Sequence, residues 1–304
     1  MVRPPAAAAR GGRTGPALLA IAHGSRDPRH AAALGRLMDA VSAARPDVPV
    51  RLGFLDLCGP DVPTAFAELA GQLSTSSASS AAGCPGAVVA VPLFLASGYH
   101  VRHDVPRVLR EAVAALPGAP SRSPLNQGSP NQNQSPSNQG PSIAVAEPLG
   151  GATGHPEPLL LEALDRRLRE AGHWTADPRL GVVLASAGSS GLAAQAQLRR
   201  AAAAWSSVYG NAAQCAFASA ALPTVSDAVA ELRARGCADV AVASYFLAPG
   251  RLADRVREEA AAVGAASSEP FATAGGGPAT ELVRLLLRRY TDAAAALRRH
   301  SPAA

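Results

Sequence analysis

Short apolar runs alternate with helix-like stretches along the first half of the chain. The runs have the length of β-strands and are rich in Ala, Val, Leu and Ile, and they cover residues 17–22, 50–55, 87–94 and 143–147. Between them, apolar residues recur every three or four positions, which is the period of a helix with one buried face. Strands that alternate with helices in this way predict βαβ units and a parallel sheet.

The first predicted helix has a recognisable start. Asp27 can act as its N-cap and Pro28 can take its first helical position. The apolar residues that follow share one face of the helix, namely Leu34, Leu37, Met38 and Val41. A second helix is predicted over about 63–73 and a third over 104–116.

The second half of the chain repeats the first. Four segments match four later segments in the same order: 18–25 with 182–189, 53–69 with 216–232, 87–101 with 239–253, and 144–164 with 266–286. Because this repeat is much longer than the roughly 20–50 residues of solenoid units, it indicates duplicated domains. We expect a disordered tail at 1–16 and two small four-stranded α/β domains, 17–175 and 176–298, that face each other across a cleft.

Two polar segments interrupt this pattern. Residues 74–86 and 121–142 are low in complexity, and the second contains almost nothing that could be buried. Both fall where a helix should return to a strand. We therefore predict surface loop insertions and not domain boundaries.

Composition narrows the class of function. Apolar residues make up 48% of the chain and aromatic residues 4%, which suits Ala, Val and Leu cores between helices and a parallel sheet. The net charge is +5, and all 28 basic residues are arginine. No basic run with interleaved aromatic residues is present, so a small acidic substrate is expected rather than nucleic acid.

Neither membrane nor secreted character is expected. The longest apolar stretch, 87–99, is shorter than the about 20 residues that a helix needs to cross a bilayer. The cysteines have neither a metal-binding spacing nor the density of a disulfide scaffold; they are Cys58, Cys84, Cys215 and Cys237. A reducing, cytoplasmic location is the expectation.

Candidate chemistry follows the strands of the first half. His23 comes after the first strand, Asp56 ends the second and His100 follows the third. Ligands of open parallel sheets bind at the carboxyl ends of the strands, so these side chains should meet at one edge. Two imidazoles and a carboxylate suit a divalent transition metal, and imidazoles can also move protons near neutral pH.

Each of these residues also has a purely structural interpretation. A histidine beside glycine often belongs to a turn, and Asp56 can cap one. Four further histidines lack the arrangement and are expected at the surface: His30, His155, His173 and His300. His103 lies three residues after His100 and is a candidate auxiliary residue.

The repeat serves as an internal control. The second half has Ala187 in place of His23, Ser219 in place of Asp56 and Leu252 in place of His100. The glycines at these turns, Gly24 and Gly98, are kept as Gly188 and Gly250. We therefore expect the glycines to serve the backbone, the histidines to serve chemistry, and the chain to have one active site.

Four segments resemble those of the CbiX-type sirohydrochlorin chelatases, a branch of the class II chelatases: AHGSR, GFLDLCGP, VPLFLASGYHVRHDVP and AEPLG. The likeness is close over 17–165 and is one of pattern afterwards, as in two-domain members with a degenerate second half. It implies an α/β fold of two duplicated chelatase-like domains. It also implies metal-binding and catalytic roles for His23 and His100, and an acidic metal ligand at Asp56, where many relatives carry glutamate.

The resemblance further implies insertion of Fe²⁺ or Co²⁺ into sirohydrochlorin, in siroheme or cobalamin biosynthesis, with Ni²⁺ as a further candidate metal. That substrate carries eight carboxylates, and the residues expected to receive them are Ser25, Arg26, Arg102 and Arg107. No organic cofactor is expected. The protein is expected to be a monomer with two pseudo-symmetric domains.

Three alternatives stay open. The first is a non-catalytic carrier of metal or tetrapyrrole that uses the same cleft. The second is a histidine phosphatase of the R-H-G type, although Ala22 stands where the phosphate-holding arginine would be. The third is an α/β protein with a structural role alone.

Overall fold

The computed structural model describes residues 15–76, 86–96, 100–116, 142–151, 154–273 and 275–300. For residues 74–76, 100, 102 and 300 it describes the backbone alone. Gly98 and most of the two polar segments, including 121–141, therefore lie outside the described residues. Residues 1–14 of the predicted tail, 1–16, do so as well.

Within the described residues, each half of the chain contains four strands and four α-helices in alternation. The first half comprises β1 (Ala17–Ala22), α1 (Pro28–Ala44), β2 (Val50–Phe54), α2 (Val62–Ser76), β3 (Val88–Pro92), α3 (Val105–Ala114), β4 (Ile143–Val145) and α4 (Pro158–Glu170). The second comprises β5 (Leu180–Ser186), α5 (Leu192–Tyr209), β6 (Ala213–Phe217), α6 (Val225–Ala234), β7 (Asp239–Ser244), α7 (Arg251–Ala262), β8 (Ala266–Ser267) and α8 (Thr280–His300). The sheets are parallel, in the orders β2-β1-β3-β4 and β6-β5-β7-β8, which confirms the predicted duplicated fold.

The predicted start of the first helix is confirmed. Asp27 caps α1 by accepting a hydrogen bond from the backbone N–H of Arg29 at 3.0 Å, and Pro28 opens the helix. Its buried residues include the four predicted from their spacing. The third helix differs from the prediction because a π-helical turn, His100–Asp104, comes before α3.

Helices α1 and α5 occupy equivalent places in the two halves. Their buried residues pair one to one: Ala33 with Gln197, Leu34 with Leu198, Leu37 with Ala201, Met38 with Ala202, and Val41 with Trp205. This register allows each position beside the first sheet to be compared with its counterpart beside the second.

The two halves share one hydrophobic core. On β1, Ala17, Leu19 and Ile21 face an outer layer built from α2 and α3. The alternate residues of β1 face a larger core that also contains residues of α4, β5, α5, β7 and α8. A second outer layer, formed with α6 and α7, covers the far face of the second sheet. The central layer therefore joins the two halves.

The last helix of each half packs on the sheet of the other half. Helix α8 contacts β3 and β4, while α4 contacts β7, and the two helices also contact each other. Arg166 on α4 and Glu281 on α8 form an ion pair at 2.7 Å. The chain division between residues 175 and 176 stays a prediction. No described helix is long and apolar enough to cross a membrane.

Candidate active site

The loop after β1 is held against the loop after β2. The backbone N–H of Asp56 donates to the carbonyl oxygen of His23 at 3.0 Å, which makes these two residues neighbours. Gly24 has a φ of +98°, and a Cβ built on it would overlap the carbonyl oxygen of Asp56. Only glycine fits this close approach with a left-handed backbone. The expected backbone role of Gly24 is confirmed.

The same contact recurs in the second half without the chemistry. The N–H of Ser219 donates to the carbonyl oxygen of Ala187 at 3.1 Å, and Gly188 has a φ of +88°. A Cβ on Gly188 would overlap the carbonyl oxygen of Ser219. The backbone arrangement is thus duplicated, whereas the imidazole and the carboxylate are found in the first half alone.

His23 and Asp56 are both exposed at the end of the first sheet. Asp56 Oδ1 accepts a hydrogen bond from the N–H of Leu57 at 2.7 Å, so this carboxylate does cap its own turn. Its other oxygen has no hydrogen-bond partner among the described residues and is available to a ligand. Capping and ligand binding are therefore compatible at Asp56.

A cleft of about 270 Å³ lies between the carboxyl ends of the two sheets. Matched segments after β3 and β7 supply its apolar lining, namely Leu93, Phe94 and Leu95 from the first half and Tyr245, Phe246 and Leu247 from the second. His23 and His30 line the cleft from the first half, and their counterparts Ala187 and Ala194 line it from the second. The imidazoles of the first half thus correspond to methyl groups in the second, and the apolar lining suits an apolar ring face beside the histidines.

The expectation that His30 is a surface residue is wrong. His30 is half-buried and lines the cleft together with His23. Its Nδ1 lies 3.2 Å from the carbonyl oxygen of Pro249, and because a carbonyl only accepts, Nδ1 carries the proton. Burial lowers the pKa of His30 most, and the charge of His23 lowers it further, against the opposing effects of Pro249 and Asp27.

A signal for His30 was present in the sequence. His30 precedes Leu34, Leu37 and Val41 at helical spacing and so continues the buried face of α1. His173 was also expected at the surface and is not, because its side chain is 12% exposed and its Nε2 is buried.

His100 opens the π-helical turn that leads into α3. Single-turn π-bulges of this kind are frequent at functional sites. The side chain of His100 lies outside the described part. The remaining described side chains form no group of three metal-binding residues, so the proposed ligand set stays a prediction.

The predicted carboxylate-binding residues differ in their availability. Arg26 is exposed and has no hydrogen-bond or ion-pair partner among the described residues. Ser25 Oγ accepts from the N–H of Asp27 at 3.1 Å. Arg107 pairs with Glu111 of its own helix at 3.0 Å and with Asp104 of the preceding π-helical turn at 3.5 Å. The side chain of Arg102 lies outside the described part, and His103 is exposed.

The match to a known protein family reflects the same duplication. The model of the CbiX family matches residues 17–171 and again residues 181–293. The chain belongs to the CbiX family. Both halves are therefore CbiX units, and the second is the one that lacks the imidazoles.

Curated relatives that match part of this chain are named sirohydrochlorin cobaltochelatases. The sirohydrochlorin cobaltochelatase of Methanococcoides burtonii is 32% identical over 93 residues, covering 31% of this chain and 63% of that protein. The enzyme of the same name from Methanosarcina acetivorans is 35% identical over 92 residues, covering 30% and 62%. The match thus spans under two thirds of these curated relatives.

The CbiX fold is also that of a solved structure, SirB from Bacillus subtilis with Fe³⁺. Its TM-score is 0.68 at 19% identity, and the match covers 94% of this chain and 98% of SirB. The agreement extends over both halves, so it supports the two-unit architecture as a whole.

Proposed function

We propose that this CbiX-family protein inserts a divalent metal ion, Fe²⁺ or Co²⁺, into sirohydrochlorin. The observation that carries the proposal is a cleft with apolar walls that His23 and His30 line from the first half and Ala187 and Ala194 line from the second. Such walls suit the faces of a planar macrocycle, whose charged groups lie at its edge. The names of the curated relatives support the same substrate.

In this proposal His23, His100 and Asp56 receive the metal ion. Imidazole and carboxylate groups bind divalent transition metals while leaving positions open for transfer. Asp56 offers one uncommitted oxygen beside His23. Loose binding is an advantage here, because the ion has to leave the protein for the macrocycle.

Insertion also releases two protons from pyrrole nitrogens. Neutral imidazoles can accept them, and His23 and His100 are the proposed acceptors. Arg26, which is exposed and has no ion-pair partner in the described part of the chain, is proposed to bind a carboxylate of the substrate bidentately. Binding energy from such remote carboxylates can offset the cost of bending the macrocycle towards the metal. Arg102 and Ser25 are assigned the same role, while Arg107 has to exchange its Glu111 and Asp104 partners first.

The choice of metal belongs to the proposal as well. Two curated relatives are named cobaltochelatases, and of two solved SirB structures one contains Fe³⁺ and the other is in complex with cobalt. Both ions suit a site of imidazole and carboxylate, and intrinsic affinities rank nickel above cobalt and cobalt above iron. The site chemistry therefore supports Fe²⁺ and Co²⁺ as substrates, with Ni²⁺ as a competitor.

Anaerobic absorption spectroscopy tests the proposal. Sirohydrochlorin is mixed with Fe²⁺, Co²⁺ or Ni²⁺, and the rate of spectral change is measured with and without the protein. We expect clear acceleration by the wild type, and loss of most of it in His23→Ala and in His100→Ala. Their double variant should be scarcely slower than the worse single variant, because both groups serve one transition state.

The duplicated half provides the control. Asp56→Ala should slow insertion, whereas Ser219→Ala, its counterpart, should change it little. Binding of sirohydrochlorin without acceleration would favour the carrier alternative. Equal losses at Asp56 and Ser219 would contradict the assignment of one active unit per chain.

A further inference from the structure

Gln197 is a buried polar residue inside the core that joins the two halves. It lies in the second turn of α5 with 7% exposure and lines the cleft. Its counterpart in α1 is Ala33, which is fully buried. Burying an amide costs free energy unless its polar atoms find partners, so the presence of glutamine here needs a physical reason.

One part of the reason is a pair of hydrogen bonds to the first half of the chain. Nε2 of Gln197 donates to the carbonyl oxygen of Gly150 at 2.7 Å and to that of Leu95 at 3.3 Å. Since both partners can only accept, the nitrogen must face them, and the orientation of the amide is determined. The carbonyl oxygen Oε1 consequently points the opposite way.

Oε1 of Gln197 has no hydrogen-bond donor among the described residues. It does not belong to the described side-chain atoms that are both fully buried and without a partner, so some of its surface is accessible. It is therefore reachable from the cleft that the residue lines. A fixed acceptor without a donor is suited to a ligand that brings an N–H or O–H group.

We infer that Gln197 Oε1 accepts a hydrogen bond from a pyrrole N–H of the metal-free macrocycle. This inference rests on the proposed function. The ionised carboxylates of a polyacidic tetrapyrrole can only accept, so its ring N–H groups are the donors it offers. The metallated macrocycle has lost those protons and cannot donate. Gln197 thus favours the substrate over the product and assists product release.

Binding measured without metal turnover tests this inference. The full-length protein is titrated separately with metal-free sirohydrochlorin and with its metallated form, and fluorescence or absorption gives both dissociation constants. The wild type should bind the metal-free form more tightly. Gln197→Met, which is nearly isosteric but lacks the oxygen, should weaken that form about fivefold, or about 1 kcal/mol, and leave the metallated form unchanged.

Gln195→Met is the matched control on the same helix. Its Nε2 donates to Ser189 O at 2.8 Å and its Oε1 accepts from Arg199 at 3.3 Å, so both ends of this amide are engaged. It should leave the ratio of the two constants unchanged. This ratio does not depend on the folded fraction of a variant, because both ligands bind the same folded molecules.

Each contrary outcome has a distinct meaning. Equal weakening of both forms in Gln197→Met would show a structural role and overturn the inference while leaving the proposed function intact. A wild type without preference for the metal-free form would overturn it even if the variant failed to fold. Weaker binding of Co²⁺ alone, with macrocycle binding unchanged, would assign Oε1 to metal-bound water and also overturn it. A wild type that binds neither form would overturn the proposed function too.

Discussion

Single residues at equivalent places distinguish the two halves of this protein. His23 and His30 line the cleft where the second half has Ala187 and Ala194, although the turns and helices that hold them are alike. His30 is the less expected of the two histidines, because it reaches the cleft from the first turn of α1 and contacts Pro249 of the second half. The second half therefore supports an imidazole that it does not itself contain.

We predict that His30 makes the stability of the protein depend on pH. Burial lowers its pKa below the ordinary 6.5, so the unfolded chain takes up a proton before the folded protein does. This contribution is fully present above about pH 6.5 and is lost as the pH falls through the lowered pKa. Denaturant unfolding between pH 8 and 5, above the range where carboxylates titrate, measures it.

Replacement of His30 separates this effect from other titrations. His30→Asn keeps an amide N–H for the carbonyl oxygen of Pro249 but does not titrate, so its stability should vary less with pH than that of the wild type. The exposed His155→Asn should retain the wild-type dependence. Identical pH profiles for wild type and His30→Asn would contradict the prediction.

At the scale of elements, the loops that follow the first two strands of each sheet lock together. Gly24 lies against Asp56, and Gly188 lies against Ser219, in the same backbone geometry. These contacts hold the ends of β1 and β2, and of β5 and β6, at a separation that a Cβ would not permit. The position of His23 over the cleft depends on this fit.

We predict that Gly24→Ala destabilises the protein by more than about 3 kcal/mol, because it combines a left-handed φ with overlap of a backbone oxygen. Gly188→Ala should cost about as much. Gly172→Ala is the control, since Gly172 has a φ of +89° but open space around its Cβ position, and it should cost about 1 kcal/mol. Urea unfolding gives all three values. Equal losses for Gly24→Ala and Gly172→Ala would show that strain alone matters.

At the scale of the whole molecule, the two CbiX units share the central layer of their cores, although each has an outer layer of its own. Helix α8 covers β3 and β4 of the first sheet, and α4 covers β7 of the second. Arg167 on α4, 7% exposed, donates to the carbonyl oxygens of Phe271 and Gly277 at 2.8 Å each. Exchange of the last helices means that each sheet is complete only when the other half is present.

We therefore predict one cooperative unfolding transition for the full chain. A fragment of residues 15–175 should show no cooperative transition by itself, because the surface that α8 covers is exposed. Adding a peptide of α8 should restore structure, measured by circular dichroism, whereas a peptide of α7 should not. Two separate transitions in the full chain, or a stable fragment, would contradict this.

Much of the fold followed from the sequence because its signals are local. The strand lengths, the start of α1 at Asp27 and Pro28, and the buried face of α1 all depend on the spacing of neighbouring residues. The duplication was visible for the same reason, since each half repeats those spacings. The placement of His23 and Asp56 at one sheet edge followed from the rule for parallel strands.

Only the tertiary structure shows which segments far apart in the sequence contact each other. His30 was expected at the surface although its spacing continues the buried face of α1, and only the fold shows that this face ends at the cleft and that His30 contacts the carbonyl oxygen of Pro249. Gln197 reads as one polar residue in a helix until its amide is seen to bind Gly150 and Leu95 from the other half. The exchange of α4 and α8 was likewise not predictable, because periodicity indicates which face of a helix is buried and not which sheet buries it.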